Sequence, residues 1–364
     1  MPILVLIISL ILNFLVAFLL TKFFQSLALK FNILDSPASA PNRKNHKQPI
    51  PLLGGFGFII SSSFFTGILW LLVKANHIGY NWPNWFLEII QPLGNNLEPF
   101  KIIWVFVAIL ILLIAGFLDD KFQFSSKIMI LPITLAILVV IFFGDIKIEG
   151  LSYPFDQKLN IYTQYFLTFI WLLLCISATK FLDGLDGLVA SLGIIGLVSI
   201  GITSLLPQVS QPFIFVFCLI WTSGILGFLP YNLPDAKLYL GEAGSVTIGF
   251  IIGILAILSG AKVATASSVV GWFIYDISFV MILRILQKKN PLVGDRQHWH
   301  FRLQDIGLSK TQTLLITNFI VIISAFLGIT LPTSQKIYLL IFQAIILLSI
   351  FVITIYLKKK YRHN

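Results

Sequence analysis

Two aspartates three residues apart, Asp183 and Asp186, each followed by a glycine, lie in the run Lys180-Phe181-Leu182-Asp183-Gly184-Leu185-Asp186-Gly187-Leu188 between two long apolar segments. Carboxylates at this spacing share a face if the run is helical, and the glycines let a ligand approach the backbone. A second pair, Asp119-Asp120, ends another apolar segment and is followed by Lys121. Adjacent carboxylates repel unless a cation lies between them or one is protonated. The pair therefore suits metal binding or general-base work, with an interfacial stop signal as the plain alternative. Tyr231-Asn232-Leu233-Pro234-Asp235-Ala236-Lys237 leads to Gly241-Glu242-Ala243-Gly244-Ser245. Small residues opening a helix offer free N–H groups and the positive dipole end to an anion, although Ser245 also reads as an ordinary N-cap. Further on, Arg296, His298, His300 and Arg302 form a basic run that suits clamping an anion. Two histidines without an evident third protein ligand are a weak zinc pattern. Arg43, Lys44, His46 and Lys47 occupy a proline-rich stretch and either meet a phosphate or anchor the chain at lipid headgroups.

The elements that must carry these groups are membrane helices. Of 364 residues, 57% are hydrophobic and 11% charged, and the mean hydropathy is +0.94, against roughly 25% charged residues in soluble domains. Apolar runs long enough to span hydrocarbon lie near 3–24, 52–73, 102–118, 128–143, 162–178, 188–206, 212–230, 246–260, 265–286, 312–331 and 337–357. Backbone groups in lipid must be satisfied within the segment, so unbroken runs of this length are helices rather than barrel strands. The expected fold is all-α: a polytopic bundle of about 11 transmembrane helices forming one domain over residues 1–364. The first run lacks a basic start and is longer than a signal core, so it is expected to remain as the first helix.

Basic residues set the orientation. With the N-terminus outside, 19 of the 25 Lys and Arg residues fall on cytoplasmic connections and six outside (Lys74, Lys101, Lys147, Lys158, Lys262 and Lys336); this is the positive-inside bias. The net charge of +10 then reads as that bias plus attraction to anionic headgroups, and nucleic acid is not an expected partner. Cys175 and Cys218 read as small core residues. Under this orientation every acid or basic cluster above lies on one face, which suggests an anionic substrate handled with a cation at the membrane surface, as in phosphoryl transfer.

At these residues the chain resembles the bacterial polyprenyl-phosphate N-acetylhexosamine-1-phosphate transferases, relatives of phospho-N-acetylmuramoyl-pentapeptide translocase. The matching pieces are PIPLLGG at 49–55, FLDDK at 117–121, DGLDGL at 183–188, YLGEAGS at 239–245 and GDRQHWHFRLQDIGLS at 294–309. The last is more like the branch that primes O-antigen, common-antigen or teichoic-acid synthesis. The resemblance implies transfer of a sugar 1-phosphate from a UDP-N-acetylhexosamine, UDP-GlcNAc in this branch, to undecaprenyl phosphate in the bacterial cytoplasmic membrane. UMP is released, Mg2+ serves as cofactor, and a homodimer is the favoured assembly. In that frame Asp119 and Asp120 orient or deprotonate the acceptor phosphate, and Asp183 and Asp186 line the nucleotide or metal side. Lys47, Lys121, Lys180, Asn232, Arg296, His298, His300 and Arg302 are expected to bind substrate, and Glu242 with Asp183 to hold the metal.

The chain also departs from the family pattern. Lys180 stands where an Asn is expected, Ser177 where a second Asn is, Glu242 where an Asp precedes Ala-Gly-Ser, and Phe301 where a third His is. By resemblance the first Asn and that Asp would be direct partners of the metal, yet a lysine ammonium has no lone pair to offer. The expectation is that Lys180 pairs with Glu242 and supplies part of the metal's charge, which makes the protein weakly metal-dependent, altered in substrate, or inactive. Three rivals remain at this level: an ion-coupled transporter, which would place acids deep in helices or on both faces; a CDP-alcohol phosphotransferase, whose further Asp residues are missing from 183–205; and an inactive relative serving as an assembly partner.

Overall fold

A computed structural model describes residues 2–37, 48–77, 99–151, 157–207, 209–259, 263–289 and 297–361. Among the described residues the chain forms twelve helices and is 81% helical. In order these are α1 (Pro2–Lys30), α2 (Gly54–His77), α3 (Pro99–Phe122), α4 (Ser126–Phe142), α5 (Ile161–Leu182), α6 (Leu188–Ser204), α7 (Pro212–Asn232), α8 (Gly241–Leu258), α9 (Val263–Leu286), α10 (Trp299–Asp305), α11 (Lys310–Thr330) and α12 (Thr333–Tyr361). All but the seven-residue α10 correspond to the eleven expected apolar runs. Nine are long and apolar enough to cross a bilayer, and α4 and α6 are shorter apolar helices. The chain is a multi-pass, all-α membrane protein.

Helix α8 is the hub. It packs against α2, α3, α5, α6, α7 and α9, and nearly all of its side chains are buried. Gly244, Gly249 and Gly253 along it allow close helix approach, which substitutes in lipid for the hydrophobic drive that helix pairing has in water. Helices α1, α11 and α12 instead turn Leu19, Phe319 and Ile345 outward, the surface a bilayer covers. A buried polar seam joins α1 and α7: Asn13 Nδ2 donates to Ile220 O at 2.6 Å and to Ser223 Oγ at 2.8 Å. Cys175 and Cys218 are free and buried, as the sequence leads one to expect.

One end of the bundle gathers the C-terminal ends of α3, α5 and α7 with the N-terminal ends of α6, α8 and α11. The chain entering α2 is shaped there by a minimal antiparallel ribbon, β1 (Leu34–Asp35) with β2 (Ile50–Pro51), and Tyr239 N donates to Pro51 O at 2.9 Å. Arg43, Lys44, His46, Lys47 and Arg296, together with the tryptophans Trp82 and Trp85 between α2 and α3, lie outside the described residues.

Candidate active site

The site is assembled around the first turn of α8. Asp120, buried near the end of α3, accepts the Glu242 N–H through Oδ1 at 2.9 Å, a carboxylate set on the positive end of a helix. Gly241 makes this possible. Its φ is +76° and a Cβ there would lie 2.5 Å from Asp120 Oδ2, so any side chain would be strained and would displace the acid. Lys180, in the last turn of α5, reaches across to form an ion pair with Glu242 Oε1, the partnership expected from the two departures in the sequence. Lys180 also acts electrostatically on Asp119. Asp119 Oδ1 and Asp120 Oδ2 are buried oxygens with no hydrogen-bond partner among the described residues.

Asp183 and Asp186 do not share a helix face. Helix α5 ends at Leu182, Asp183 is its C-cap, and 183–187 is a turn. Asp183 is exposed. Crowding by the neighbouring protein, with the charges of Glu242, Asp186 and Asp35, holds its carboxyl above the usual carboxylate range. Asp186 is buried and serves as a brace: Oδ2 accepts from Lys310 Nζ at 2.8 Å and from the Asp235 and Ala236 N–H groups at 3.2 and 3.4 Å. Asn232 is likewise committed, accepting from Gly187 N and donating to Leu238 O, both at 3.1 Å. Tyr239 faces the same acids; burial and the charges of Asp186, Asp35 and Asp183 push its phenol up.

The histidines close the other side. A Cβ on Gly184 would lie 2.8 Å from the Phe301 ring and 3.2 Å from His300 Nε2, so α10 packs directly on the Asp-Gly turn. The rings of His298 and His300 stack at 5.9 Å, 6° from parallel, and His298 also stacks on Phe181 at 6.4 Å. Its Nδ1 lies 2.7 Å from Asp276 Oδ2. Arg302 donates from Nε to Gln297 O at 2.6 Å, with its guanidinium 4.4 Å from the Phe351 ring. Lys121 is exposed and lies over the ring of its neighbour Phe122 at 5.3 Å.

Asp119, Asp120, Lys180, Asp183, Glu242, His298 and His300 thus come together. Asp186 and Asn232 stand behind them, and Lys121 and Arg302 turn to aromatic rings. Sequence reasoning missed Asp35, Tyr239, Lys310 and Asp276. Tyr239 lies in the matching piece at 239–245, and Asp276 left a signal as the single acid of a mostly apolar span, where an ionisable residue is expensive without a function.

Clustered acids, a fixed ammonium and paired imidazoles at one end of a helical bundle are the makings of a membrane-embedded enzyme site. Residues 102–260, from α3 through α8, match the model of glycosyl transferase family 4. The chain is 30% identical over 350 residues to the probable undecaprenyl-phosphate N-acetylglucosaminyl 1-phosphate transferase of Bacillus subtilis, covering 94% of this chain and 89% of that one. It is 28% identical to the undecaprenyl-phosphate alpha-N-acetylglucosaminyl 1-phosphate transferase of Thermotoga maritima, with 93% and 94% covered, and 26% identical to that of Escherichia coli, with 96% and 90% covered. The chain belongs to glycosyl transferase family 4 and is an enzyme.

Proposed function

We propose that the protein transfers GlcNAc 1-phosphate from UDP-GlcNAc to undecaprenyl phosphate and releases UMP, on the cytoplasmic face of the bacterial inner membrane. The observation that carries this is the pair of carboxylate oxygens on Asp119 and Asp120 that have no hydrogen-bond partner among the described residues, held beside Lys180 and within a site closed by His298 and His300. The names of the relatives supply the substrates, and the positive-inside bias supplies the face.

An oxygen of the lipid phosphate attacks the β-phosphorus of the donor, and the bond from that phosphorus to the bridging oxygen breaks with its electrons leaving on UMP. One pyrophosphate linkage replaces another, so the reaction is close to balanced in free energy and reversible. Catalysis is then positioning and charge neutralisation. Asp119 and Asp120 orient the acceptor and take any proton it brings, while the imidazoles and Lys180 stand beside the diphosphate charge.

A hard divalent cation fits part of this site. The two orphaned oxygens of Asp119 and Asp120 suit Mg2+, whereas Glu242 is already paired with Lys180. Bound there, Mg2+ would neutralise charge on the diphosphate. The same ion pair favours a second reading, a relative whose lysine replaces part of the metal, so that the enzyme depends weakly on Mg2+ or is impaired. The test is incubation of the purified protein in detergent with labelled UDP-GlcNAc and undecaprenyl phosphate. A lipid-linked sugar whose formation is lost in Asp119→Asn is the expected product; its absence from the wild type overturns the assignment.

A further inference from the structure

We infer that Asp276 is a positioning residue that acts through His298 on the nucleotide sugar, an inference that rests on the transferase reading above. Asp276 lies midway along α9 and is fully buried. A carboxylate in such a place is costly unless every oxygen is used, and both are. Oδ2 meets His298 Nδ1 at 2.7 Å and Oδ1 accepts the Trp299 N–H at 2.9 Å. One acid therefore holds both the ring of His298 and the first backbone donor of α10.

The consequence for His298 is chemical as well as steric. A carboxylate only accepts, so Nδ1 must carry a proton, and Nε2 becomes the atom that can act on a ligand. Orientation of an imidazole by a carboxylate on its other nitrogen is how such rings are fixed in tautomer and strengthened as bases. Trp272, one turn earlier on α9, frames the pair: it packs on Trp299 at 6.1 Å and its Nε1 donates to Ser324 Oγ at 2.8 Å. Beyond His298 the stack runs through His300 to Gly184, the residue after Asp183. Asp276 thus links the interior of the membrane span to the wall of the site.

A structural cap for α10 would use the same hydrogen bond to Trp299 N, so the test must separate the two roles. Asp276→Asn keeps shape and an acceptor for Trp299 N but offers an amide N–H to His298 Nδ1, which enforces the opposite tautomer. His298→Asn keeps a side-chain N–H for Asp276 and removes Nε2. UDP-GlcNAc affinity is measured by calorimetry on the full-length protein in detergent for wild type, both single variants and the double variant, with unfolding temperatures alongside. Each single change is expected to weaken binding about 10- to 100-fold, and the double variant to be no weaker than His298→Asn alone.

Wild-type affinity in either single variant overturns the inference, as does an equal loss from Asp276→Asn with and without His298. If Asp276→Asn does not fold, His298→Asn decides: its retention of wild-type affinity is the overturning result. Lipid-linked product is assayed in parallel. Coupled nucleotide binding without product from the wild type removes the transferase reading and keeps the role of Asp276; a wild type that does not bind UDP-GlcNAc removes both.

Discussion

Lys180→Asn is the most informative single change. It removes the ammonium that pairs with Glu242 and puts in its place an amide oxygen able to ligate a hard cation. The two side chains are only 18% and 13% exposed, so the pair falls between surface pairs, at about 0–1 kcal/mol, and fully buried ones, whose disruption costs about 3–5 kcal/mol. An expected loss of about 2 kcal/mol lies between those limits, because Glu242 is left among Asp119, Asp120 and Asp183 with no countercharge from this helix. At ~2 °C per kcal/mol for a chain of this size, unfolding in chelator should come ~4 °C earlier than in the wild type. A cation that occupies the emptied position at 100 times its Kd restores about 2.7 kcal/mol. The variant should therefore recover in saturating Mg2+, while the wild type unfolds at nearly the same temperature in chelator and in Mg2+. Mn2+ binding followed by electron paramagnetic resonance should be roughly 30-fold tighter in the variant, the equivalent of 2 kcal/mol. The reasoning is refuted if the wild type binds Mn2+ as tightly as Lys180→Asn does, or if wild-type product formation is strictly Mg2+-dependent.

Asp120→Asn keeps an acceptor for Glu242 N and should fold, yet lose transfer by at least ~100-fold through loss of the buried charge; labelled-lipid formation measures it. Gly241→Ala should reduce both stability and transfer, because it forces an alanine into φ +76° and drives its Cβ into Asp120 Oδ2. A backbone cost of about 1–3 kcal/mol is expected, read by thermal unfolding. Lys310→Ala should cost only about 1 kcal/mol, since the lysine side chain is 37% exposed and the buried Asp186 keeps its two backbone donors. Asp186→Ala should cost clearly more, because it strands two backbone donors as well; a smaller effect than that of Lys310→Ala would contradict its bracing role.

The helices were readable because hydrocarbon imposes a length and forbids unsatisfied backbone, so each expected run became one helix. The convergence of Asp119, Asp120, Asp183, Glu242, His298 and His300 was readable for a related reason: their connections fall on alternate ends of successive spans, and alternation alone brings them to one face. What stayed hidden depends on how the connecting turns fold. The three-residue spacing of Asp183 and Asp186 suggests a shared face only if α5 continues, and it stops at Leu182. The turn then leaves one acid exposed and sends the other inward to Lys310, 124 residues away. Nothing local to Asn232 foretold its bonds to Gly187 and Leu238. Asp276 was legible in principle, but its partner is decided by a packing contact across 22 residues.

Two of the four departures from the family pattern, Lys180 and Glu242, suit each other physically. Lys180 occupies the last turn of α5 and Glu242 the first turn of α8. Those are the negative and positive dipole ends respectively, so each charge suits its own helix before the two ever meet. Either change alone would leave a lysine or a longer acid inside a cluster of carboxylates without its match. Together they form an ion pair that spans the contact between α5 and α8. The fixed charge of Lys180 is therefore part of the scaffold of the site as well as of its electrostatics, and a metal introduced by mutation must replace both.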